Sequence, residues 1–252
     1  MEGMKRKAAV NGRVLHVYLP PSYSGSGRSY PVVYLHDGGE AAFDGINYLE
    51  YLFHEGRLPE LIFVGIEPRN RLDEYTPWPS SPLVPGKPEF GGAGDRYLEE
   101  VALRIKPFID RECRTLPDRE HTGLAGCSLG GLISLRAYYR YSDIFGKIAL
   151  ISASLWYEGV PDYVRREPIP KEETRLFLSV GALEGRYNRN VQRDMADRTR
   201  LVHSALLERG VPGDRLKLEI AAEGTHDPMF FARKFTDALQ WLFAGEADGY
   251  AR

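Results

Sequence analysis

The chain consists of short, continuous apolar runs that alternate with segments whose apolar residues recur every three or four positions. The continuous runs are bounded by glycine, proline and polar residues, which is typical of strands buried on both faces. They lie at residues 30–35, 61–66, 122–125, 147–152, 175–180 and 216–221. The periodic segments predict amphipathic helices that cover such strands. They lie at residues 46–55, 95–109, 132–139, 191–207 and 231–242.

The first strands differ from the others, because residues 5–10 and 13–19 flank the dipeptide Asn11-Gly12. This dipeptide suits the type I′ turn of a β-hairpin, in which both central residues need positive φ angles. An antiparallel hairpin followed by alternating strands and helices predicts an α/β fold with a mostly parallel central sheet and helices on both faces. We expect one such domain over residues 1–252, since α/β domains often reach this length.

Two long segments follow no hydrophobic period and are predicted to be irregular. Residues 67–94 contain six prolines together with arginines and aromatic residues, and residues 153–174 form the second segment. Long irregular segments within a compact domain are usually functional. Ligands of parallel sheets bind beyond the carboxyl ends of the strands, and both segments follow predicted strands. We therefore expect residues 67–94 to form a wall of an active-site cleft.

The most informative turn is at residues 126–130, where the pattern G-x-S-x-G lies between a predicted strand and a predicted helix. This context is typical of a nucleophile elbow, in which a strained turn exposes a serine hydroxyl above the sheet. Glycine at both ends lets the strand and the helix approach closely. We predict that Ser128 is a nucleophile; the alternative is an ordinary glycine-rich turn. Cys127 is expected to pack beneath this turn.

A nucleophilic serine needs a base that takes its proton, and a histidine held by a carboxylate is the usual base. In α/β-hydrolases the chain order is serine, acid, histidine. Of the histidines that follow Ser128, His203 lies within a predicted helix, whereas His226 lies in the turn after the last predicted strand. We predict that His226 is the general base; the alternative is a residue that only caps the final helix. Asp227 is expected to be that cap.

Glu184 is the preferred candidate for the acid, because it follows the penultimate predicted strand. A carboxylate in that loop can reach a histidine in the loop after the next strand, since both loops lie at the same edge of the sheet. Asp194 and Asp197 belong to the following predicted helix and are less well placed. The alternative for Glu184 is a solvated turn residue.

The oxyanion that forms during acyl transfer needs two backbone donors. One is expected to be the N–H of Leu129, because the first N–H groups of a helix have no partner within it. The second is expected in the glycine-containing loop after residues 30–35, where backbone can approach a ligand closely. We nominate Gly39 in this loop. His36 is expected to brace the loop rather than to react.

Composition and charge exclude several other classes of function. The formal net charge of −2 and the pI near 6.3 give no reason to expect a nucleic acid or an anionic membrane surface as a partner. The two cysteines offer neither a disulfide framework nor the spacing of a metal site. The sequence shows no apolar run of transmembrane length and no signal-peptide pattern, so we expect a cytoplasmic protein.

Several further segments carry distinctive residues. They are Tyr34-Leu35-His36-Asp37-Gly38, Arg71-Leu72-Asp73-Glu74-Tyr75-Thr76-Pro77, Gly91-Gly92-Ala93-Gly94-Asp95-Arg96, Ser154-Leu155-Trp156 and Gly224-Thr225-His226-Asp227. Together with the elbow they resemble the esterase D-like putative esterase family, and within it the stand-alone members of the enterobactin (enterochelin) esterase branch, which hydrolyse siderophore esters. The resemblance implies an α/β-hydrolase fold, a serine esterase that hydrolyses carboxylic esters, and neither a cofactor nor a catalytic metal.

The resemblance also implies that a substrate lies against Arg71, Tyr75 and Trp156. The alternatives are an ion pair of Arg71 with Asp73 or Glu74, and packing of Trp156 within a lid. We therefore predict an enzyme that cleaves a small-molecule ester, with siderophore trilactones and aryl esters as candidate substrates. An acyltransferase on the same fold and a non-catalytic scaffold are the alternative functions.

Overall fold

The predicted hairpin and the six continuous apolar runs form an eight-stranded sheet in the computed structural model, which describes residues 2–246. The strands are β1 (Met4–Val10), β2 (Arg13–Leu19), β3 (Val32–Leu35), β4 (Ile62–Ile66), β5 (Pro79–Ser80), β6 (Phe90–Gly91), β7 (Thr122–Cys127), β8 (Lys147–Ile151), β9 (Arg175–Gly181) and β10 (Leu216–Ala221). The short strands β5 and β6 pair with each other outside this sheet. Every predicted strand is present, and its ends differ from the prediction by at most two residues.

The strand order of the sheet is β1-β2-β4-β3-β7-β8-β9-β10. β1 and β2 form the predicted antiparallel hairpin, and Asn11 and Gly12 have φ angles of 49° and 75°, as its turn requires. β2 is antiparallel to β4, whereas the strands from β4 to β10 in this order run parallel. This confirms the mostly parallel sheet. The carboxyl ends of the parallel strands lie along one edge, where the loops that follow them can meet.

Helices cover both faces of the sheet. They are α1 (Glu40–Phe43), α2 (Ile46–His54), α3 (Arg71–Glu74), α4 (Gly94–Glu100), α5 (Lys106–Glu112), α6 (Leu129–Tyr141), α7 (Val160–Arg166), α8 (Met195–Glu208) and α9 (Pro228–Leu242), and a π-helical turn joins α4 to α5. The side chains of the central strands alternate between two cores; on β3, Tyr34 joins one core and Leu35 the other. Residues of α4 to α8 pack in the first core, and residues of α1, α2 and α9 pack in the second.

The two segments predicted to be irregular contain short regular elements. α3 and the β5–β6 pair lie within residues 67–94, and α7 lies within residues 153–174. α3 has four residues and α7 has seven. Helices this short do not repeat the apolar period, which is why the sequence pattern does not predict them.

The buried face of α8 is smaller than the periodic segment at residues 191–207 predicts. The helix begins at Met195, and the preceding turn, Val191–Asp194, is a 3-10 helix. Val191 and Leu207 are 44% and 41% exposed, so neither belongs to the core. The tighter 3-10 turn changes the angular position of Val191 relative to the helix face that it was expected to share.

Candidate active site

Ser128 lies at a sharp turn between the end of β7 and the start of α6. Its φ of 57° and ψ of −119° form a conformation that residues with a side chain seldom adopt. A side chain at Gly126 would lie 2.4 Å from the backbone of Gly130, so only glycine allows β7 and α6 to approach this closely. The strand, tight turn and helix predicted around Ser128 are therefore present. The positive end of the α6 dipole lies beside the serine.

A continuous chain of hydrogen bonds links Ser128, His226 and Glu184. Ser128 Oγ lies 3.1 Å from His226 Nε2, and His226 Nδ1 lies 2.7 Å from Glu184 Oε2. The structure thus brings together the three residues that the sequence analysis selected, from the loops after β7, β9 and β10. The His226 side chain is 32% exposed, whereas that of Glu184 is buried. Such a chain can move a proton from serine to histidine while the carboxylate stabilises the imidazolium.

The second oxygen of Glu184 is also occupied. Glu184 Oε1 accepts hydrogen bonds from Ser152 Oγ at 2.5 Å and from the N–H of Gly181 at 2.7 Å. Both partners are donors, so they stabilise the negative charge of this buried carboxylate. They also hold Oε2 in the direction of His226.

The other candidates for base and acid have different partners. His203 lies within α8, where partial burial lowers the pKa of its ring. Asp194 and Asp197 each pair with an arginine of their own segment. Asp227 caps α9, because its carboxylate accepts the N–H of Phe230 at 3.1 Å.

The loop after β3 contains Gly39, the residue nominated as the second oxyanion donor. Gly39 has a φ of 86°, and a side chain there would come within 3.0 Å of Gly65 Cα on β4. The Gly39 N–H donates to the carbonyl of His36 at 3.1 Å. It is therefore engaged within its own loop and would reach an oxyanion only by sharing or exchanging this bond. Leu129 is the first residue of α6, so its N–H has no partner within the helix.

His36 braces this loop against the elbow helix. Its Nε2 lies 3.1 Å from Ser134 Oγ and its Nδ1 lies 2.7 Å from the Tyr97 hydroxyl. Burial, followed by the charge of Arg71, lowers the pKa of His36 to about 3, so the ring is neutral near pH 7. Ser134 donates its proton to the carbonyl of Gly130 at 2.8 Å. His36 must therefore donate to Ser134 from Nε2 and accept from Tyr97 at Nδ1.

A cavity of about 460 Å³ opens beside Ser128. Apolar lining comes from Leu35, Ala125, Ile151, Phe231 and Phe235. Charged lining comes from Asp37, Glu40, Asp44, Glu67 and Arg71. The volume is typical of a site for a small molecule, and the lining carries more carboxylates than guanidinium groups.

Arg71 lies in the wall of this cavity, but its partner is not a neighbour in sequence. Its Nε and one terminal nitrogen lie 2.7 and 3.1 Å from the two carboxylate oxygens of Asp37. The suggested pairs with Asp73 or Glu74 are therefore not formed. Burial alone would lower the pKa of Arg71, but the hydrogen bonds and charge of Asp37 hold it above its ordinary value.

Two residues predicted to contact a substrate lie outside this cavity. The prediction for Tyr75 is wrong, because its side chain is fully buried and its hydroxyl accepts the N–H of Asp37 at 2.8 Å. Tyr75 therefore supports the loop after β3. Trp156 is partly buried and packs on Phe90 and Tyr157 in the wall of a second cavity of about 540 Å³. A substrate would contact Trp156 only if it extended into that second cavity.

The thiol in the elbow is disfavoured as a competing nucleophile. Burial raises the pKa of the Cys127 thiol well above its ordinary value, which disfavours the reactive thiolate. Within residues 2–246, no group of three or more His, Cys, Asp or Glu side chains could hold a metal ion. In the same part of the chain, no helix is both long and apolar enough to cross a membrane.

Two serines that the sequence analysis did not select also touch the site. Ser152 contacts Glu184, and Ser154 Oγ lies 3.3 Å from Ser128 Oγ. Both lie in the turn that follows β8. Their position after a parallel strand is the signal that could have indicated them, because the other site residues share it.

Comparison with known proteins places the chain in a family. The putative esterase family matches residues 8–242. The uncharacterized protein YbbA of Bacillus subtilis is 39% identical over 243 residues, which cover 96% of this chain and 97% of YbbA. A siderophore enterobactin esterase of Emericella nidulans is 32% identical over 111 residues, which cover 44% of this chain and 34% of that protein.

Solved structures show the same fold. An IroE-like serine hydrolase from Shewanella oneidensis matches with a TM-score of 0.80 and 24% identity, over 95% of this chain and 79% of its own. At this identity the likeness concerns the fold, and it confirms the α/β-hydrolase architecture. The match over residues 8–242 shows that the chain belongs to the putative esterase family, and it is an esterase.

Proposed function

We propose that the protein hydrolyses carboxylic esters through an acyl-serine intermediate. In this proposal Ser128 is the nucleophile, His226 is the general base and Glu184 is the acid that orients the histidine. The observation that carries the proposal is the chain of contacts from Ser128 Oγ to His226 at 3.1 Å and from His226 to Glu184 at 2.7 Å, beside a cavity of about 460 Å³.

Acylation begins when Ser128 Oγ attacks the ester carbonyl and His226 Nε2 takes the serine proton. Glu184 keeps the Nδ1 proton in place and stabilises the imidazolium. The carbonyl oxygen becomes an oxyanion, which accepts a hydrogen bond from Leu129 N–H. The positive end of the α6 dipole stabilises its negative charge. The Gly39 amide is the second donor in this proposal, once its bond to His36 is shared.

The intermediate collapses when the bond to the leaving alkoxide breaks and His226 gives that oxygen its proton. Water then attacks the acyl carbon, and His226 takes a proton from it. The serine leaves with this proton, so the acid is released and the enzyme is restored. Because 32% of the His226 side chain is exposed, water can approach the base, which favours hydrolysis over transfer to another acceptor.

Siderophore trilactones and aryl esters are the substrate classes that we propose. The relative from Emericella nidulans is a siderophore enterobactin esterase, which supports the first class. The cavity beside Ser128 suits a small acyl or aryl group. Its carboxylates disfavour an anionic group inside it, so the charged part of a ferric siderophore would lie at the mouth, near Arg71.

Hydrolysis of p-nitrophenyl butyrate by the wild type and Ser128→Ala tests the mechanism. We expect the variant to lose turnover while its thermal midpoint stays close to that of the wild type. Retained turnover would remove Ser128 from the reaction. A panel of short-chain esters, feruloyl esters and siderophore trilactones, compared by kcat/KM, then identifies the substrate class.

A further inference from the structure

The turn after β8 is fixed on both sides by the backbone of neighbouring loops. Ser152 donates its N–H to the carbonyl of Ser179 at 2.8 Å, and Ser154 donates its N–H to the carbonyl of Ser128 at 2.9 Å. Ser152 has a φ of 46°, which is unusual for a residue with a side chain. Both serine side chains are buried. Such a strained and buried turn persists only where the surrounding structure holds it.

The two hydroxyls of this turn reach opposite ends of the triad. Ser152 Oγ donates to Glu184 Oε1 at 2.5 Å, and Ser154 Oγ lies 3.3 Å from Ser128 Oγ. One short segment therefore contacts both the carboxylate and the nucleophile.

The proton positions decide which hydroxyl donates. Glu184 accepts the proton on His226 Nδ1, so Nε2 of the neutral ring is an acceptor. The Ser128 hydroxyl must therefore donate to His226 Nε2. Its oxygen then has only lone pairs to offer to Ser154, so Ser154 is the donor in that contact.

We propose that Ser152 and Ser154 are positioning residues that hold the two ends of the triad in register; this inference rests on the proposed function. Ser154 holds Ser128 Oγ in the rotamer that faces His226 and stabilises the charge that the oxygen gains as it loses its proton. Ser152 holds the carboxylate of Glu184 so that Oε2 faces the histidine.

The strand order of the sheet indicates what the Ser154 hydroxyl can bind after acylation. β8, β9 and β10 lie on one side of β7, and β3 lies on the other. Ser154 is therefore on the side of His226, away from the loop of Gly39. An acylated Ser128 oxygen is a weak acceptor, so the Ser154 hydroxyl becomes free to bind the leaving alcohol or the incoming water beside the base.

Four variants test the inference: Ser152→Ala, Ser152→Gly, Ser154→Ala and, as a control, Ser179→Ala. Ser179 is also a buried serine, and its hydroxyl has no hydrogen-bond partner among residues 2–246. The assays are kcat and KM for p-nitrophenyl butyrate and the rate at which a fluorophosphonate labels Ser128. The second assay reports the attack of the serine without deacylation.

We expect Ser154→Ala to lower kcat and the labelling rate roughly 3- to 10-fold, as loss of one neutral hydrogen bond does. Ser152→Ala should lower both roughly 10- to 100-fold, because its acceptor is charged. KM should stay within about twofold of the wild-type value in each variant, since neither hydroxyl is proposed to contact the substrate before acylation. Ser179→Ala should change neither kcat nor the labelling rate.

Ser152→Gly separates positioning from folding. Glycine adopts a φ of 46° without strain, so this variant should be at least as stable as Ser152→Ala in thermal unfolding. A positioning role still predicts loss of kcat, because the hydroxyl is absent. If Ser152→Gly and Ser154→Ala match Ser179→Ala in kcat and labelling rate, the inference is wrong while the proposed function stands. Labelling at a residue other than Ser128 in the wild type would overturn both.

Discussion

Glu184→Gln tests the acid with a change of one atom, and the structure determines how the new amide must lie. Glu184 Oε1 faces two donors, Ser152 Oγ and the N–H of Gly181. The amide oxygen must keep these two contacts, because an NH₂ group there would face the N–H of Gly181 and leave this fixed backbone donor without an acceptor. A buried donor left unpaired costs about 1–3 kcal/mol. A cost of about 2 kcal/mol already favours the first orientation roughly thirty to one.

The NH₂ group then faces His226 Nδ1, which must become an acceptor. The remaining proton of the ring moves to Nε2, which faces Ser128 Oγ. A protonated Nε2 cannot accept the serine proton. The variant therefore holds the wrong tautomer, and we expect kcat to fall on the order of 10³- to 10⁴-fold. The thermal midpoint should change little, because the size of the side chain and its two contacts through Oε1 are preserved.

The assay is kcat for p-nitrophenyl butyrate, with Asp194→Asn as the control because Asp194 pairs with Arg193 away from the triad. The control should keep kcat within about twofold of the wild type. If Glu184→Gln retained more than about a tenth of wild-type kcat, the histidine ring would not be held in the wrong tautomer. A larger loss in Asp194→Asn would move the acid to the following helix.

Three further substitutions test other contacts. Arg13→Ala removes a buried guanidinium that lies 2.7 Å from the Glu74 carboxylate, and we expect the free energy of unfolding in urea to fall by about 3 kcal/mol. Burial raises the pKa of Glu74, but the bond from Arg13 outweighs it and lowers the pKa below 4.5. The stabilisation that Arg13 gives through Glu74 is therefore fully present above pH 4.5 and is lost as the pH falls through the lowered pKa of Glu74. The variant lacks this stabilisation. Tyr75→Phe removes the acceptor of the Asp37 N–H, so kcat should fall roughly 3- to 10-fold with KM unchanged. Arg71→Ala removes a cation from the cavity wall, so kcat/KM should fall roughly tenfold more for a ferric trilactone than for p-nitrophenyl butyrate.

Each of these three predictions would be contradicted by a specific result. Arg200→Ala, which breaks an exposed pair, should change the free energy of unfolding by less than about 1 kcal/mol. A loss as large as that of Arg13→Ala would show that burial adds nothing to the pair of Arg13 with Glu74. A raised KM in Tyr75→Phe would indicate contact with the substrate rather than support of the loop. Equal losses on both substrates in Arg71→Ala would favour an esterase of broad specificity.

Much of the fold follows from local pattern. A strand buried on both faces leaves a continuous apolar run, and a hairpin turn with two positive φ angles requires residues such as Asn11 and Gly12. The elbow is equally local, because the strand, the turn and the helix are consecutive in sequence. The sequence pattern does not predict α3 and α7, because a helix of four or seven residues has too few positions to show a hydrophobic period.

Sequence pattern alone was enough to predict the strands, the elbow and the order of Ser128, Glu184 and His226, because each is set by short-range pattern or by the shared edge of parallel strands. Which side chains meet across that edge depends instead on the packing of the folded chain. This packing turned Tyr75 inward and paired Arg71 with Asp37, 34 residues away, rather than with its neighbours. Contacts between loops depend on how helices and strands pack in three dimensions, and no local period records that packing.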